Sequence, residues 1–257
     1  MDSYSRQRVN YDSIAHLYDE PRRDYAPDQQ LTRFLSERSL APSSVRALDM
    51  GCGTGKQVAA NHAAYPAMSV FGSDLFAGML GQARRRSDVP LVQGDSSCSP
   101  FRAASIDYIS NQFSYQHVLD KPAMLAETYR LLRSGGRFVM TNIDPWSMRN
   151  WAIYTYFPAA WDRDILDFLS ADAFTDLMRQ IGFVNIAVSR RHQPVSEPLP
   201  QYFAYASQRF RNSQFMCISD DDYARGVATL KAELSQRGDS ATIASEICFV
   251  TICGDKP

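Results

Sequence analysis

The chain has 257 residues, 45% of them hydrophobic, and a formal net charge of −1. Such a composition supports a sizeable core and excludes a disordered chain, while the balanced charge gives no general attraction to polyanions, so DNA is not an expected partner. Five cysteines without a CxxC pair and four scattered histidines argue against a zinc site or a disulfide framework. The start, MDSYSRQRVNYDS, has no apolar h-region, and no run of 18 apolar residues follows, so the expectation is a cytoplasmic protein without a membrane span.

The regular pattern begins near residue 45. A short apolar strand over 45–49 runs into glycines, and a helix over 56–64 stops near Pro66. A strand over 69–72, a helix over 76–86, and strands over 90–93 and 106–110 follow. Asp120 caps a helix reaching Leu132, with Pro122 in the first turn where a missing N–H costs nothing. Gly135 and Gly136 are read as the stop of that helix, ahead of a fifth strand over 137–142. Strands separated by helices imply parallel pairing with right-handed crossovers.

The pattern changes after Asp144. Residues 145–169 are rich in aromatic side chains, and Phe174, Leu177, Met178 and Ile181 then line one helix face that ends at Gly182. A sixth strand spans 184–188. Residues 194–218 show little periodicity, Ser219 with Asp222 resembles a capping box, and a helix runs from there to Gly238. A β-branched strand over 247–252 closes the chain. The reading is one domain over 1–257, with a core of about 40–145, 171–192 and 243–254 and two inserts at about 145–169 and 194–238.

The stretch RALDMGCGTGKQ, residues 46–57, places three glycines at a strand-to-helix turn, where backbone N–H groups and a close approach are on offer. A dinucleotide fingerprint GxGxxG fails, because Lys56 and Val58 stand where its third glycine belongs. A P-loop fails as well, since Gln57 follows Lys56 and Met50 replaces its first glycine. The remaining pattern is D/ExGxGxG: Asp49, Gly51, Gly53, Gly55.

This pattern resembles the first motif of the class I S-adenosylmethionine-dependent methyltransferases. SVFGSD ends in Asp74, twenty-five residues after Asp49, and VQGDSS carries Asp95, so acids end three successive strands. GDSSCSPFRAASIDYI and ETYRLLRSGGRFVMTN are similar to further family elements, and YDSIAHLYDEPRRDY to the lead-in helix of its small-molecule (methyltransferase type 11-like) branch. The resemblance covers residues 8–145 well and 171–190 loosely. It implies a Rossmann-like, doubly wound α/β fold. Its seven-stranded, mostly parallel sheet has the last strand antiparallel. An N-terminal lid helix over 8–36 and a helical, aromatic cap from the inserts after strands 5 and 6 complete it.

The resemblance also implies site roles. Asp49 accepts from the ammonium of S-adenosylmethionine, Asp74 takes the ribose hydroxyls or caps the following helix, and Leu75 and Met79 line the cofactor beside the three glycines. Asp95 and the backbone of Ser96 read the adenine, and the backbone near Gln112 and Phe113 meets the methionine part. Tyr11 packs on the cofactor, Tyr18 faces the methyl donor, and Arg22 binds the carboxylate, with Arg23 as its rival. For Tyr11 and Tyr18 a plain core role stays open. No metal is implied, and the product is S-adenosylhomocysteine.

Methyl transfer from a sulfonium is an in-line displacement, so orientation and exclusion of water carry much of the catalysis. His117, after the fourth strand, is the candidate base, or simply a helix-end histidine. Tyr115, Asp144, Trp146, Trp151 and Tyr154 are candidates for holding substrate. The aromatic inserts are read as an apolar pocket wall, or as a plain cap or dimer surface. Asn111-Gln112-Phe113-Ser114 departs from the [DNS]PP[YFW] signature of the enzymes that methylate amino groups of nucleic acid. The expected acceptor is therefore an O, N or C nucleophile of a small, fairly apolar metabolite, and the protein a monomer or homodimer. A non-catalytic cofactor-binding protein and an enzyme acting on RNA or protein remain alternatives.

Overall fold

A computed structural model of the chain describes residues 9–18 and 25–257. The strands are β1 (Arg46–Met50), β2 (Ser69–Asp74), β3 (Leu91–Gln93), β4 (Ile106–Gln112), β5 (Leu132–Ile143), β6 (Val184–Pro198) and β7 (Thr242–Asp255). They form one sheet in the order β3-β2-β1-β4-β5-β7-β6, with β1 to β5 parallel and β7 antiparallel. Strand order reverses between β1 and β4, and the carboxyl ends beside that switch are where an open α/β sheet binds its ligand.

The helices are α1 (Gln29–Glu37), α2 (Lys56–Ala64), α3 (Ala77–Ala83), α4 (Lys121–Leu131), α5 (Ala152–Tyr156), α6 (Pro158–Asp167), α7 (Ala171–Ile181), α8 (Leu199–Ala206), α9 (Ser213–Met216) and α10 (Asp220–Arg237). Several ends follow from local chemistry. The Asp120 side chain accepts from the Ala123 N–H at 2.8 Å, and Ser219 Oγ accepts from the Asp222 N–H at 3.1 Å, each satisfying an orphan donor of a first turn. Among the described residues no helix is long and apolar enough to cross a membrane, and no group of three or more His, Cys, Asp or Glu is placed to hold a metal ion.

The chain divides into two compact units. The larger comprises Asn10–Asn142, Ala171–Ser189 and Thr251–Pro257, and the smaller takes in Ile143–Ser170 and Arg190–Val250. One core of the larger unit joins Leu31, Phe34 and Leu35 of α1 to Val45 and Ala47 of the β1 region, Val70, Leu80, Tyr108 and Val139. Burying such side chains stabilises by about 1.5–3 kcal/mol each before entropy is subtracted. The smaller unit contains α5, α6 and α8 to α10, and centres on Phe157, Phe215 and Tyr223, with ring centroids 4.7–5.9 Å apart. Gly226 admits the Phe157 ring: a Cβ there would lie 2.2 Å from Phe157 Cδ1.

Three expectations change. Gly135 and Gly136 do not stop a helix. α4 ends at Leu131, and the pair lies in a register shift where β4 and β5 pass from the Ile106/Leu132 pair to the Tyr108/Arg137 pair. Gly135 takes a φ of +77° there and donates to the Lys256 carbonyl at 2.8 Å. Second, β6 and β7 are far longer than the expected 184–188 and 247–252. Third, no continuous lid helix fills the described part of 8–36. Residues 12–18 form turns, and the helix starts only after Asp28, which caps it. Asn10 Oδ1 accepts from the Asp12 N–H at 3.0 Å, a local bond that competes with helix formation.

Candidate cofactor site

The glycine loop between β1 and α2 is built from three residues with positive φ: Gly51 at +80°, Gly53 at +54° and Gly55 at +75°. Each has its own reason. A Cβ on Gly51 would lie 2.2 Å from Ser114 Oγ, and one on Gly55 would lie 2.7 Å from Ala83 Cβ, so both glycines are needed for packing as well as for backbone conformation. A Cβ on Gly53 would meet no atom within 4 Å, so the backbone there faces open space.

Asp49 is buried at the end of β1, where its Oδ1 accepts from Ser110 Oγ at 3.0 Å. Burial pushes its carboxyl up to about 7, opposed by the Ser110 bond and reinforced by the charges of Asp28 and Asp74. Asp74, at the end of β2, binds the loop directly: Oδ2 accepts from the Gly53 N–H at 2.8 Å and Oδ1 from the Phe76 N–H at 2.9 Å. Burial also raises its pKa, against those backbone bonds. Asp95 sits in the turn after β3, with Oδ1 accepting from the Ser97 N–H at 2.8 Å and Ser97 Oγ at 2.7 Å. The strand register explains the convergence. Asp49 stands opposite Gly72, two residues before Asp74, and Asp74 stands opposite Gln93, two residues before Asp95. Three neighbouring carboxyl ends thus each deliver one acid to the same edge of the sheet. Leu75 and Ser96 are half-buried beside them, and Met79 is buried in α3.

On the other side of the switch, Gln112 ends β4 and Phe113 takes a φ of +53°. Its N–H donates to the Thr141 carbonyl at 3.0 Å, and the residue is 47% exposed. A bulky residue in the left-handed region costs about 1–2 kcal/mol and persists only where its surroundings impose it. Tyr11, Tyr18 and His117 come together at this edge. Tyr11 Oη and His117 Nε2 share a hydrogen bond of 2.9 Å, and the Tyr11 ring meets Tyr18, Phe76 and His117 edge-on at 5.2–5.7 Å. Asp12 Oδ1 accepts from the Gly78 N–H of α3 at 2.7 Å and pins this N-terminal segment. Arg22 and Arg23 lie outside the described residues.

The expected substrate residues divide. Tyr115 is 1% exposed and packs on Phe174 in the core of the larger unit, a packing role instead of an exposed binding one. The rest belong to the smaller unit. Asp144 is buried and accepts from Arg190 Nε at 2.7 Å and Ser147 Oγ at 2.8 Å. Trp146 is 42% exposed, and Trp151 meets buried Tyr154 edge-on at 5.0 Å. Sequence reasoning missed Asp12, Ser110, Asn111 and Ser114. Asn111 Nδ2 donates to the Met50 carbonyl at 2.9 Å, while its Oδ1 is buried without a partner. The signal available was the polar run SNQ at the end of an otherwise apolar strand.

Residues 48–140 match the family described as methyltransferase domain. The chain is 26% identical over 204 residues to the ubiquinone/menaquinone biosynthesis C-methyltransferase UbiE of Desulfotalea psychrophila, an alignment covering 68% of this chain and 81% of that protein. In fold it is similar to a Haemonchus contortus phosphoethanolamine N-methyltransferase solved with S-adenosylhomocysteine, with a TM-score of 0.61, 20% identity and 96% of this chain covered. The chain spans 57% of that larger protein. A methyltransferase-like structure from Bacillus halodurans matches with a TM-score of 0.61 and 16% identity, over 90% of this chain and all of its own length. With its acid-ended strands, its glycine loop and these relatives, the chain is similar to the class I S-adenosylmethionine-dependent methyltransferases, and its residues 48–140 match their methyltransferase domain.

Proposed function

We propose that this protein methylates a carbon or oxygen nucleophile of a small, fairly apolar metabolite, with a hydroxylated ring as the favoured acceptor. The residues present fit S-adenosylmethionine. Gly53 leaves open space at the loop, Asp49 is a buried carboxyl in need of a cation, and Asn111 holds a buried acceptor without a partner. Asp49 and the loop backbone would hold the amino-acid end, Asp74 the ribose, and Asp95 with Ser96 the adenine. When bound, the cofactor supplies an electrophilic methyl group on a sulfonium.

The observation that carries the reading is the Tyr11–His117 bond of 2.9 Å, set beside Phe76 and Tyr18 at the ligand edge of the sheet. Carbon and hydroxyl nucleophiles must lose a proton, and amines need no such help. A neutral His117 with its proton on Nδ1 accepts from Tyr11, so the pair is suited to take up and pass on one proton. The relatives add support, since UbiE is named as a C-methyltransferase of quinone biosynthesis and a Thermotoga maritima relative as a demethylmenaquinone methyltransferase. The test is calorimetry with S-adenosylmethionine, followed by labelled methyl transfer to hydroquinones, phenols and amines. Micromolar binding with transfer to hydroxylated rings is expected. No heat at millimolar cofactor refutes the cofactor site, and binding without transfer to any acceptor leaves a non-catalytic binder. Tyr11→Phe and His117→Ala should each lower kcat by tenfold or more with cofactor affinity changed less than threefold, a split that simple loss of packing does not produce.

A further inference from the structure

Behind the Tyr11–His117 pair the larger unit holds a further set of polar contacts, centred on Gln116. This side chain is half-buried in the turn Tyr115–His117 that follows β4. Its Nε2 donates to the Phe113 carbonyl at 3.0 Å, and its Oε1 accepts from Asn142 Nδ2 at 2.7 Å. Asn142 is 1% exposed, near the end of β5. A backbone carbonyl only accepts, so the amide nitrogen is the group that faces Phe113, and the Gln116 amide has one orientation. Phe113 is the residue held at a φ of +53°; its N–H bond to Thr141 and its carbonyl bond to Gln116, each 3.0 Å, tie that strained backbone at both ends. The same Gln116 nitrogen lies 3.2 Å from His117 Nε2, and its second N–H is left for that contact.

We propose that Gln116 is a positioning residue, which holds His117 Nε2 as a hydrogen-bond acceptor and thereby makes Tyr11 the donor of the bond they share. An imidazole nitrogen offers either a proton or a lone pair, and the neighbouring hydrogen bonds decide which. With a proton on Nε2, that N–H would point at the Gln116 N–H, and Phe113 and Asn142 prevent the amide from turning its oxygen there instead. With the proton on Nδ1, the Nε2 lone pair accepts from Gln116 and from Tyr11 Oη at 2.9 Å. The choice matters for the reaction. A proton leaving the acceptor molecule is taken by Tyr11 Oη while the Tyr11 proton passes to His117 Nε2, and the acceptor atom keeps the electron pair that becomes its bond to the methyl carbon. An Nε2 that already carries a proton has no place for a second. The Gln116 amide also disfavours a proton resting on Nε2, which resets the pair between turnovers. The inference rests on the proposed role of Tyr11 and His117 and adds the group that sets their hydrogen-bond direction.

The test is nitrogen NMR on full-length protein labelled in its histidine rings, at about pH 8, where an ordinary histidine is neutral. The His117→Ala spectrum identifies the His117 signals among those of the four histidines. The wild type should show Nδ1 protonated and Nε2 bare. Gln116→Met removes the donor at similar length, so both tautomers should coexist. Gln116→Glu keeps the oxygen that meets Asn142 and puts a second oxygen in place of the nitrogen, so Nε2 should carry a proton. Both variants should bind S-adenosylmethionine within threefold of the wild type by calorimetry, and kcat should fall about tenfold or more in Gln116→Glu and less in Gln116→Met, with KM changed less than twofold. A proton on Nε2 in the wild type overturns the proposal, as does one tautomer common to wild type and both variants, or a changed tautomer with unchanged kcat. The tautomers are read without any methyl acceptor. A bare Nε2 that gains its proton in Gln116→Glu therefore supports the assignment even where no acceptor is methylated, an outcome that counts against the proposed function alone.

Discussion

At the scale of single residues, Asp49 carries the most consequence. It is buried and faces Ser110, with Asp28, Cys52, Asp74 and Tyr108 as the nearby titratable groups, so its ionised form is disfavoured in the fold. With a folded pKa of about 7, above the unfolded value, the neutral form contributes stability that is fully present below about pH 4 and lost as pH rises through about 7. Asp49→Asn removes that loss. Its melting temperature should match the wild type near pH 4 and exceed it increasingly up to pH 7, with a constant gap above; thermal scans across that range check this. The same substitution should weaken S-adenosylmethionine at least tenfold. In the wild type at pH 6–7, binding of a cation should release a proton, and calorimetry in buffers of different ionisation enthalpy would show it. The residue's place was legible, because an acid directly before GxGxG marks a strand end. Its partner was not, because Ser110 is 61 positions away and only strand pairing brings it close.

At the scale of elements, the glycine loop separates conformation from contact. Gly51→Ala places a methyl group on Ser114 and should destabilise the protein by more than the about 1–2 kcal/mol of the left-handed backbone alone. Gly53→Ala has room, so it should cost about 1–2 kcal/mol of stability yet weaken the cofactor at least tenfold, because the new methyl occupies the ligand's side. Denaturant melts paired with calorimetry distinguish the two, and equal effects of both variants on binding and stability would contradict the loop assignment. Helix starts at Asp120 and Ser219 were readable because a cap is a local event. The role of Gly135 and Gly136 was not. A glycine pair after a helix looks like a stop, and only the register shift against β4 shows it to be a bulge within a strand.

At the scale of the molecule, the two units have separate cores, and their stabilities should be separable. Gly226→Ala forces a methyl group to 2.2 Å from Phe157 Cδ1 and 2.7 Å from the Tyr156 carbonyl, in the middle of the smaller unit's aromatic cluster. Overpacking of this kind costs about 1–3 kcal/mol. Hydrogen exchange should speed up in α5, α8 and α10 while the larger unit keeps its protection and its affinity for S-adenosylmethionine. Uniform loss of protection throughout the chain would show that the two units unfold as one.

The sequence by itself determined the alternation of strands and helices, the parallel core with its ligand edge, and the identity of the three acids and three glycines. These rest on short-range chemistry: period, caps, turns and spacing along one strand-to-helix unit. Only the tertiary structure decided that Tyr115 is a core ring, that β6 and β7 extend past their apolar centres, that Tyr11 meets His117, and that Asp164 collects two donors from two other helices. Those features join residues between 10 and 106 positions apart, and no local pattern encodes a pairing that is settled by how whole elements pack.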